Sequence, residues 1–140
     1  SSKIIHLHGE LRKKRSQVRP DYIVAIDPAE NEIKKGELCP WGMQMRPHIV
    51  WFGEAVPMIE KAADLVEQAD ILIIIGTSML VYPAAGLIHY TKPGIPIYYI
   101  DPHANEVKNL AKNTICIPQK ASIGVPQLVN ELIEKTKHAD

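Results

Sequence analysis

Residues 71–86 read ILIIIGTSMLVYPAAG, and this stretch decides the expected fold. Its first five residues, 71–75, form a continuous apolar run of the kind that is buried on both faces of a parallel sheet. A Gly-Thr-Ser tripeptide interrupts the run, and a helix-like segment follows at 83–90 with Pro83 at its start. A buried strand that ends in a small polar loop predicts that something is bound at the strand's end.

Strand-like and helix-like segments alternate along the chain after residue 47. Further short apolar runs, typical of strands, lie at 48–52, 97–100 and 114–117. Helix-like patterns lie at 57–70 and 103–112, and the last helix carries an apolar stripe of Val125, Leu128, Val129, Leu132 and Ile133. This alternation with short joints predicts an α/β fold, a Rossmann-like parallel sheet flanked by helices.

Residues 12–45 break this rhythm, because they are charged and punctuated by proline and glycine, with YIVAI at 22–26 as their one strand-like run. We therefore expect 12–45 to form a small inserted subdomain. Residues 1–11 and 46–140 would form the Rossmann-like part.

The composition predicts a soluble, cytoplasmic protein. Of its 140 residues 46% are hydrophobic and 23% charged, and the formal net charge is zero, so no basic field argues for nucleic acid or a membrane surface. No apolar run approaches the roughly 18 residues of a membrane span, and the first residues do not resemble a signal peptide. The two cysteines, Cys39 and Cys116, lie far apart, which suits a reducing compartment.

Small or polar residues follow three of the predicted strands, where parallel sheets bind ligands. These are Gly53 and Glu54, then Gly76, Thr77 and Ser78, and then Asp101. Hydroxyl and amide groups at 77–78 suit ribose or phosphate oxygens, and an acid after a strand suits an adenosine ribose. Two of the three also have a structural explanation, a capping turn at 76–78 and a turn or cap at 101–102. Together they favour a nucleotide, although neither common glycine-rich phosphate loop is present.

His8 is the candidate general base. In HLHGE, residues 6–10, two histidines two positions apart would share one face of a strand, and Gly9 would open space beside the second. Histidine titrates near neutral pH and can accept a proton, but a lone histidine also fits a structural role. The six histidines lack a metal-binding spacing, and two distant cysteines cannot form a zinc tetrad.

Three motifs occur in one order, IIHLHGEL at 4–11, RPHIVWFGEAVP at 46–57 and DILIIIGTSMLVYPAAGL at 70–87, followed by a strand that ends in a polar residue. In this combination the chain resembles the sirtuins, the NAD-dependent protein lysine deacylases of the Sir2 family, and more closely their bacterial CobB-like branch. The resemblance covers essentially the whole chain and is weakest at 12–45. It implies NAD as cofactor and acyl-lysine proteins as partners.

The resemblance also implies a mechanism in which His8 is the catalytic histidine. The acyl oxygen of a modified lysine attacks the ribose carbon that carries nicotinamide, and nicotinamide leaves. The histidine then takes a proton from a ribose hydroxyl, whose oxygen attacks the acyl carbon. The products would be free lysine, nicotinamide and O-acyl-ADP-ribose.

Further residues take binding roles by the same resemblance. Those that match cofactor-binding positions are Gly76, Thr77, Ser78, Asp101, Pro102, His103 and Ala121. Those that match the peptide-binding positions or the acyl-lysine channel are Val50, Trp51, Phe52, Gly53, Glu54 and Val81. Core packing is an equally good reason for the apolar residues at 50–52.

The chain departs from the family in three respects. Most sirtuins hold zinc with two cysteine pairs, but Cys39 stands alone here, so we predict a zinc-free subdomain held by packing of Tyr22, Ile23, Val24, Ile26 and Trp41. Asp101 stands where the family has asparagine, so it accepts hydrogen bonds but cannot donate them. The segments that precede the family's catalytic histidine are missing. We therefore expect an inactive C-terminal half whose partner is the N-terminal half of the same domain.

Two other interpretations stay open. One is a binding module for NAD or ADP-ribose that performs no chemistry, and the other is a nucleotide-binding domain of a different α/β enzyme. The second would explain the polar strand ends but not HLHGE followed by VWFGE. Neither membrane nor nucleic acid is expected as a partner.

Overall fold

The computed structural model describes residues 3–30, 32–108 and 110–137. Its contacts divide the chain into two compact units, Ser1–Met58 and Ile59–Asp140. We call them the first and second units. Within the described residues, no helix is long and apolar enough to span a membrane.

The first unit is built on an antiparallel sheet of three strands, in the order β2-β1-β3. The strands are β1 (Gly9–Ser16), β2 (Ile23–Ala25) and β3 (Met45–Ile49). The ladder between β1 and β3 shifts register between Glu10 and Lys14, so β1 bends there. Among the described residues of the first unit, the buried ones are Ser16, Cys39 and Met45. Of the residues expected to pack in the subdomain, Tyr22 and Trp41 are in contact, with ring centroids 5.2 Å apart, although Ile23 and Trp41 remain exposed.

The second unit contains a parallel sheet in the order β4-β5-β6. The strands are β4 (Leu72–Ile75), β5 (Ile97–Ile100) and β6 (Thr114–Ile117), and they are flanked by the helices α1 (Ile59–Glu67) and α2 (Ala121–Lys137) and by a 3-10 helix (Ala84–Tyr90). All four residues of β5 are buried. The predicted parallel sheet with flanking helices is therefore confirmed.

Helix α2 packs against the middle of this sheet. Leu128 contacts Tyr98 and Ile100, and Val125 and Leu132 of the predicted apolar stripe pack beside them. Gly124 allows the close approach, because a Cβ atom there would lie 2.7 Å from Cγ2 of Ile100. Burial of this apolar surface is the main stabilising term of the second unit.

The apolar run at 71–75 is exposed on one face, contrary to the prediction that both faces are buried. Ile71, Ile73 and Ile75 are 43%, 36% and 44% exposed, whereas Leu72 and Ile74 are half-buried. In the described residues β4 pairs only with β5 and is an edge strand. Three alternating isoleucines thus form an exposed apolar stripe beside the region covered by α2.

The segment 48–52 was predicted as a strand of the parallel sheet, which is wrong. Strand β3 ends at Ile49 and pairs antiparallel with β1, in the other unit. Val50 adds one more bond, from its N–H to the carbonyl of His8 at 3.0 Å, and the chain then turns at Trp51. An apolar run of five residues does not reveal which sheet it joins.

The helix predicted at 103–112 is also wrong, because the described residues there form only a short 3-10 turn, Ala104–Glu106. Residue 109 lies outside the described residues. Asn105 and Val107 have low helix propensity, and a short isolated helix is costly to nucleate.

Two strands cross the boundaries of the predicted subdomain 12–45. Strand β1 runs through the boundary between residues 11 and 12, and β3 runs through that between 45 and 46. The division into an inserted subdomain and a remainder of 1–11 with 46–140 stays a prediction.

Candidate functional site

The loop after β4 is held in one conformation by its own backbone and by β5. Gly76 and Met79 have positive φ angles of 61° and 56°, in the left-handed region that glycine adopts without steric cost. The Tyr99 hydroxyl donates to the carbonyl of Thr77 at 2.6 Å, and the Gly76 N–H donates to the carbonyl of Ile100 at 2.9 Å. The Thr77 hydroxyl oxygen accepts from the Met79 N–H at 3.3 Å. The loop between 76 and 79 is therefore preorganised from the neighbouring strand.

Asp101 follows the last residue of β5 and begins a tight turn. Its Oδ1 atom accepts from the N–H of His103 at 2.9 Å, and its carbonyl accepts from the N–H of Ala104 at 2.9 Å. Pro102 lies within this turn. His103 Nδ1 lies 3.1 Å from Glu106 Oε1, and this contact raises the pKa of His103. The turn thus presents a carboxylate and an imidazole just beyond the strand's end.

These two loops border one cleft of about 600 Å³ in the second unit. Its lining includes three predicted residues, Ser78, Asp101 and His103. Sequence reasoning missed the other residues that line it, Met79, Leu80, Tyr99, Glu106, Val107 and Lys108. Residues 106–108 fall in the segment whose pattern predicts a helix. Ala121 is the exposed first residue of α2 and is not among the lining residues.

The cleft has the chemistry that an adenosine-bearing ligand requires. A carboxylate at Asp101 can accept hydrogen bonds from ribose hydroxyls, and the Ser78 hydroxyl can donate or accept. Leu80 and Val107 supply apolar surface for a base. The residues of this cleft therefore fit the adenosine part of NAD.

His8 lies in the first unit, in a turn before β1. The N–H of Gly9 donates to the carbonyl of His6 at 3.2 Å, so residues 6–9 form a turn and the expected strand through both histidines is wrong. Gly9 has a φ of 91°, and a Cβ atom there would collide with the carbonyl of His48. The absence of a side chain at Gly9 allows the backbone to pass close to β3. The His8 side chain is exposed, so its imidazole is accessible.

The segment 51–54 forms a second tight turn in the first unit, in which the N–H of Glu54 donates to the carbonyl of Trp51 at 3.1 Å. Phe52 at its tip is 95% exposed and Gly53 has a φ of 87°. The Glu54 carboxylate binds the guanidinium of Arg46 through both oxygens, at 2.6 and 2.7 Å. These hydrogen bonds lower the pKa of Glu54 to about 2.

Arg46 was not singled out from the sequence, although it opens the RPHIVWFGE motif. Val81, the other predicted peptide contact, lies in the second unit, where its carbonyl accepts from the Ala85 N–H at 2.9 Å at the start of the 3-10 helix. It is 45% exposed.

Within the described residues, no group of three or more His, Cys, Asp or Glu side chains could hold a metal ion. Cys39 lies at the start of a turn in which the N–H of Gly42 donates to its carbonyl at 2.9 Å. Burial raises the pKa of the Cys39 thiol, but hydrogen bonds from the backbone of Met43 and Trp41 and from Ser16 outweigh it, and the net pKa is lowered. The predicted absence of zinc stays a prediction.

The chain is similar to known proteins over most of its length. It is 48% identical over 136 residues to an NAD-dependent protein deacylase of Bacteroides thetaiotaomicron, covering 95% of this chain and 58% of that protein. A Sir2 homologue solved as a complex with ADP-ribose superposes with a TM-score of 0.79 at 32% identity, over 96% of this chain and 54% of the other. Sir2Tm bound to a propionylated peptide superposes with a TM-score of 0.74 at 25% identity, over 94% and 56%. The chain thus spans about half the length of the relatives it matches.

The model of the Sir2 family matches residues 1–83. This match covers more than half of the 140 residues and contains His8, the turn at 51–54 and the loop after β4. The chain therefore belongs to the Sir2 family.

Proposed function

We propose that this protein is an NAD-dependent protein lysine deacylase that transfers the acyl group of acyl-lysine to ADP-ribose and releases nicotinamide. The observation that carries the proposal is the cleft at the ends of β4 and β5, lined by Ser78, Asp101 and His103. The relatives named NAD-dependent protein deacylase support it, as does the exposed His8 side chain within the matched segment.

NAD, when bound, would supply the electrophilic ribose carbon and carry away the acyl group. In the proposed site Asp101 accepts hydrogen bonds from the adenosine ribose hydroxyls, while Ser78 and the loop at 76–77 bind ribose and phosphate oxygens. Pro102, His103 and Ala121 complete the cofactor contacts. An imidazole nitrogen of His8 accepts a proton from a ribose hydroxyl, a step that neutral histidine performs well near pH 7.

We propose that the substrate is an acyl-lysine protein and that it binds as an extended strand beside the turn at 51–54. Gly53 and the exposed Phe52 would pair with its main chain, and Val81 is a further proposed peptide contact. Val50 and Trp51 would wall the acyl-lysine channel. The relative solved with a propionylated peptide supports this class of substrate.

We also propose that an N-terminal half of the same domain is the partner of the exposed apolar stripe Ile71, Ile73 and Ile75. An apolar edge strand of this kind invites pairing with further chain. Amide hydrogen exchange tests this, because the β4 amides should exchange more slowly in the complete natural protein than in residues 1–140 alone. The proposed location is the cytoplasm, where the free thiols of Cys39 and Cys116 stay reduced.

Substitution of His8 tests the deacylase directly. We expect His8→Ala in the complete natural protein to lower kcat by about a hundredfold to ten-thousandfold, the usual value of a general base. The matched control is His6→Ala, since His6 lies in the same turn, is also exposed and contacts Glu10 at 3.6 Å. The measurement is nicotinamide release from NAD with an acetyl-lysine peptide. Equal activity of the His8→Ala variant and the parent would contradict the proposed role.

A binding module for ADP-ribose is the second candidate, because the described residues that line the cleft lie between 78 and 108, away in sequence from His8. Calorimetric titration with ADP-ribose, together with the nicotinamide assay, separates the two. Binding that Asp101→Ala weakens, without any nicotinamide release by the complete protein, would favour the module.

The zinc-free subdomain is a proposal with its own measurement. Arg19 lies 4.5 Å above the ring of Trp41, and the Tyr22 ring packs edge-on against it, so aromatic and cation–π contacts occupy this region. Metal analysis of the purified protein should find less than one zinc per chain. One tightly held zinc per chain would contradict the proposal.

A further inference from the structure

The Glu54 carboxylate ties together the turn at 51–54. Besides the two bonds from Arg46, its Oε2 atom accepts from the backbone N–H of Trp51 at 3.0 Å and lies 3.4 Å from a guanidinium nitrogen of Arg15. Four donors thus converge on one side chain that is only 34% exposed. Charge-assisted hydrogen bonds with two-pronged geometry are the strongest kind in proteins.

Arg46 connects this turn to the sheet. Its NH2 group donates both to Glu54 Oε2 and to the carbonyl of Ile49, the last residue of β3, at 3.0 Å. Its Nε atom is buried and has no hydrogen-bond partner among the described residues. One guanidinium therefore fixes the distance between the end of β3 and the turn that follows it.

The tip of the turn takes no part in these bonds. Within the described residues, neither Phe52 nor Gly53 makes a hydrogen bond, and Phe52 projects almost fully into solvent. Their N–H and C=O groups are available to an incoming extended chain, the kind of pairing by which peptides add a strand to a protein. Hydrogen bonds therefore fix the two ends of the turn, whereas the main chain at its tip can pair with another chain.

We propose that the Arg46–Glu54 pair is a positioning device for substrate, which holds the turn so that the main chain of Phe52 and Gly53 pairs with the acyl-lysine peptide. The inference rests on the proposed deacylase function. In this role the Glu54 carboxylate acts through the turn, by its bonds to Arg46 and to the Trp51 N–H. Holding the turn in its bound shape lowers the entropic cost of peptide binding.

Glu54→Gln and Arg46→Lys test this in the complete natural protein. Glutamine keeps the shape but removes the charge, and lysine keeps the charge but cannot bridge Glu54 and the Ile49 carbonyl. We expect each change to raise the KM for an acetyl-lysine peptide about tenfold, the effect of losing one charged hydrogen bond, with kcat and the KM for NAD unchanged. In both variants the backbone amide of residue 54 should exchange faster in the protein without peptide.

The matched control is Glu37→Gln, which breaks a 2.6 Å ion pair with Lys14 in the same unit, away from the turn. The control should leave the KM for peptide unchanged. If the wild type turns over the peptide but Glu54→Gln leaves the peptide KM unaltered, the positioning role alone is overturned. The same conclusion follows if Glu54→Gln impairs kcat and both KM values equally. Absence of peptide-dependent nicotinamide release from the wild type overturns the deacylase function as well, so the two failures are distinguishable.

Discussion

Strands β1 and β5 are each the middle strand of a three-stranded sheet, yet they are held in opposite ways. Every residue of β5 is apolar or aromatic and buried. In β1 the sequence is GELRKKRS, and Ser16 is its one buried residue. Lys14 forms ion pairs with Glu30 and Glu37 at 3.1 and 2.6 Å, and Arg15 lies 3.4 Å from Glu54.

The second unit is therefore stabilised mainly by burial of apolar surface, and the first mainly by backbone pairing and charged side chains. The contributions differ in size, since a buried leucine contributes several times more than a partly exposed ion pair. They also differ in their response to pH and salt, because only the ion pairs depend on protonation and are screened.

The largest effect is expected in the second unit, for Leu128→Ala. Leu128 is 3% exposed and packs on Tyr98 and Ile100, so its truncation should cost about 2–5 kcal/mol of unfolding free energy. Urea unfolding followed by far-UV circular dichroism measures it, because both described α-helices lie in this unit. The control is Val129→Ala at a 40% exposed position of the same helix. Equal destabilisation by the two variants would contradict the view that the second unit is stabilised mainly by burial of apolar surface.

Gly124→Ala should have an intermediate effect. The added methyl group would lie 2.7 Å from Cγ2 of Ile100 and 3.3 Å from Cγ2 of Ile117, so α2 must shift away from β5. Overpacking of this kind costs about 1–3 kcal/mol. Gly86→Ala is the matched control, since the nearest atoms to its added Cβ lie 3.7 Å away. A neutral or stabilising Gly124→Ala in the same unfolding experiment would show that the helix is not seated tightly.

The same contrast explains what could be predicted from the sequence. β4, β5, β6 and both helices could be predicted, because apolar runs and a 3.6-residue stripe are local signals. Two residues that line the cleft, Ser78 and Asp101, could be selected from the sequence because each lies within three residues of the end of a strand. The antiparallel pairing of β3 and the role of Arg46 could not be, because ion pairs and strand partners depend on residues far apart in the chain. Arg15 and Glu54, for example, are 39 residues apart.

Acid should weaken the first unit selectively. Hydrogen bonds from Arg46 and from the Trp51 N–H lower the pKa of Glu54 from 4.5 to about 2. Bonds from Lys13 and Lys14 lower the pKa of Glu10 and of Glu37, respectively. A carboxyl group with a lower pKa in the folded chain stabilises the fold above its unfolded pKa, and this stabilisation is lost as pH falls through the folded value. Stability should therefore decline as pH falls from 4.5 towards 2.

Tryptophan fluorescence measures this decline, since Trp41 and Trp51 both lie in the first unit. The urea midpoint of that signal should fall with pH more steeply than the midpoint of the circular dichroism of the second unit. Glu54→Gln should flatten the fluorescence curve, because the amide does not titrate, and added salt should lower the midpoint at neutral pH by screening the pairs. Parallel acid curves for the two signals in the parent and in Glu54→Gln would mean that charge does not distinguish the two units.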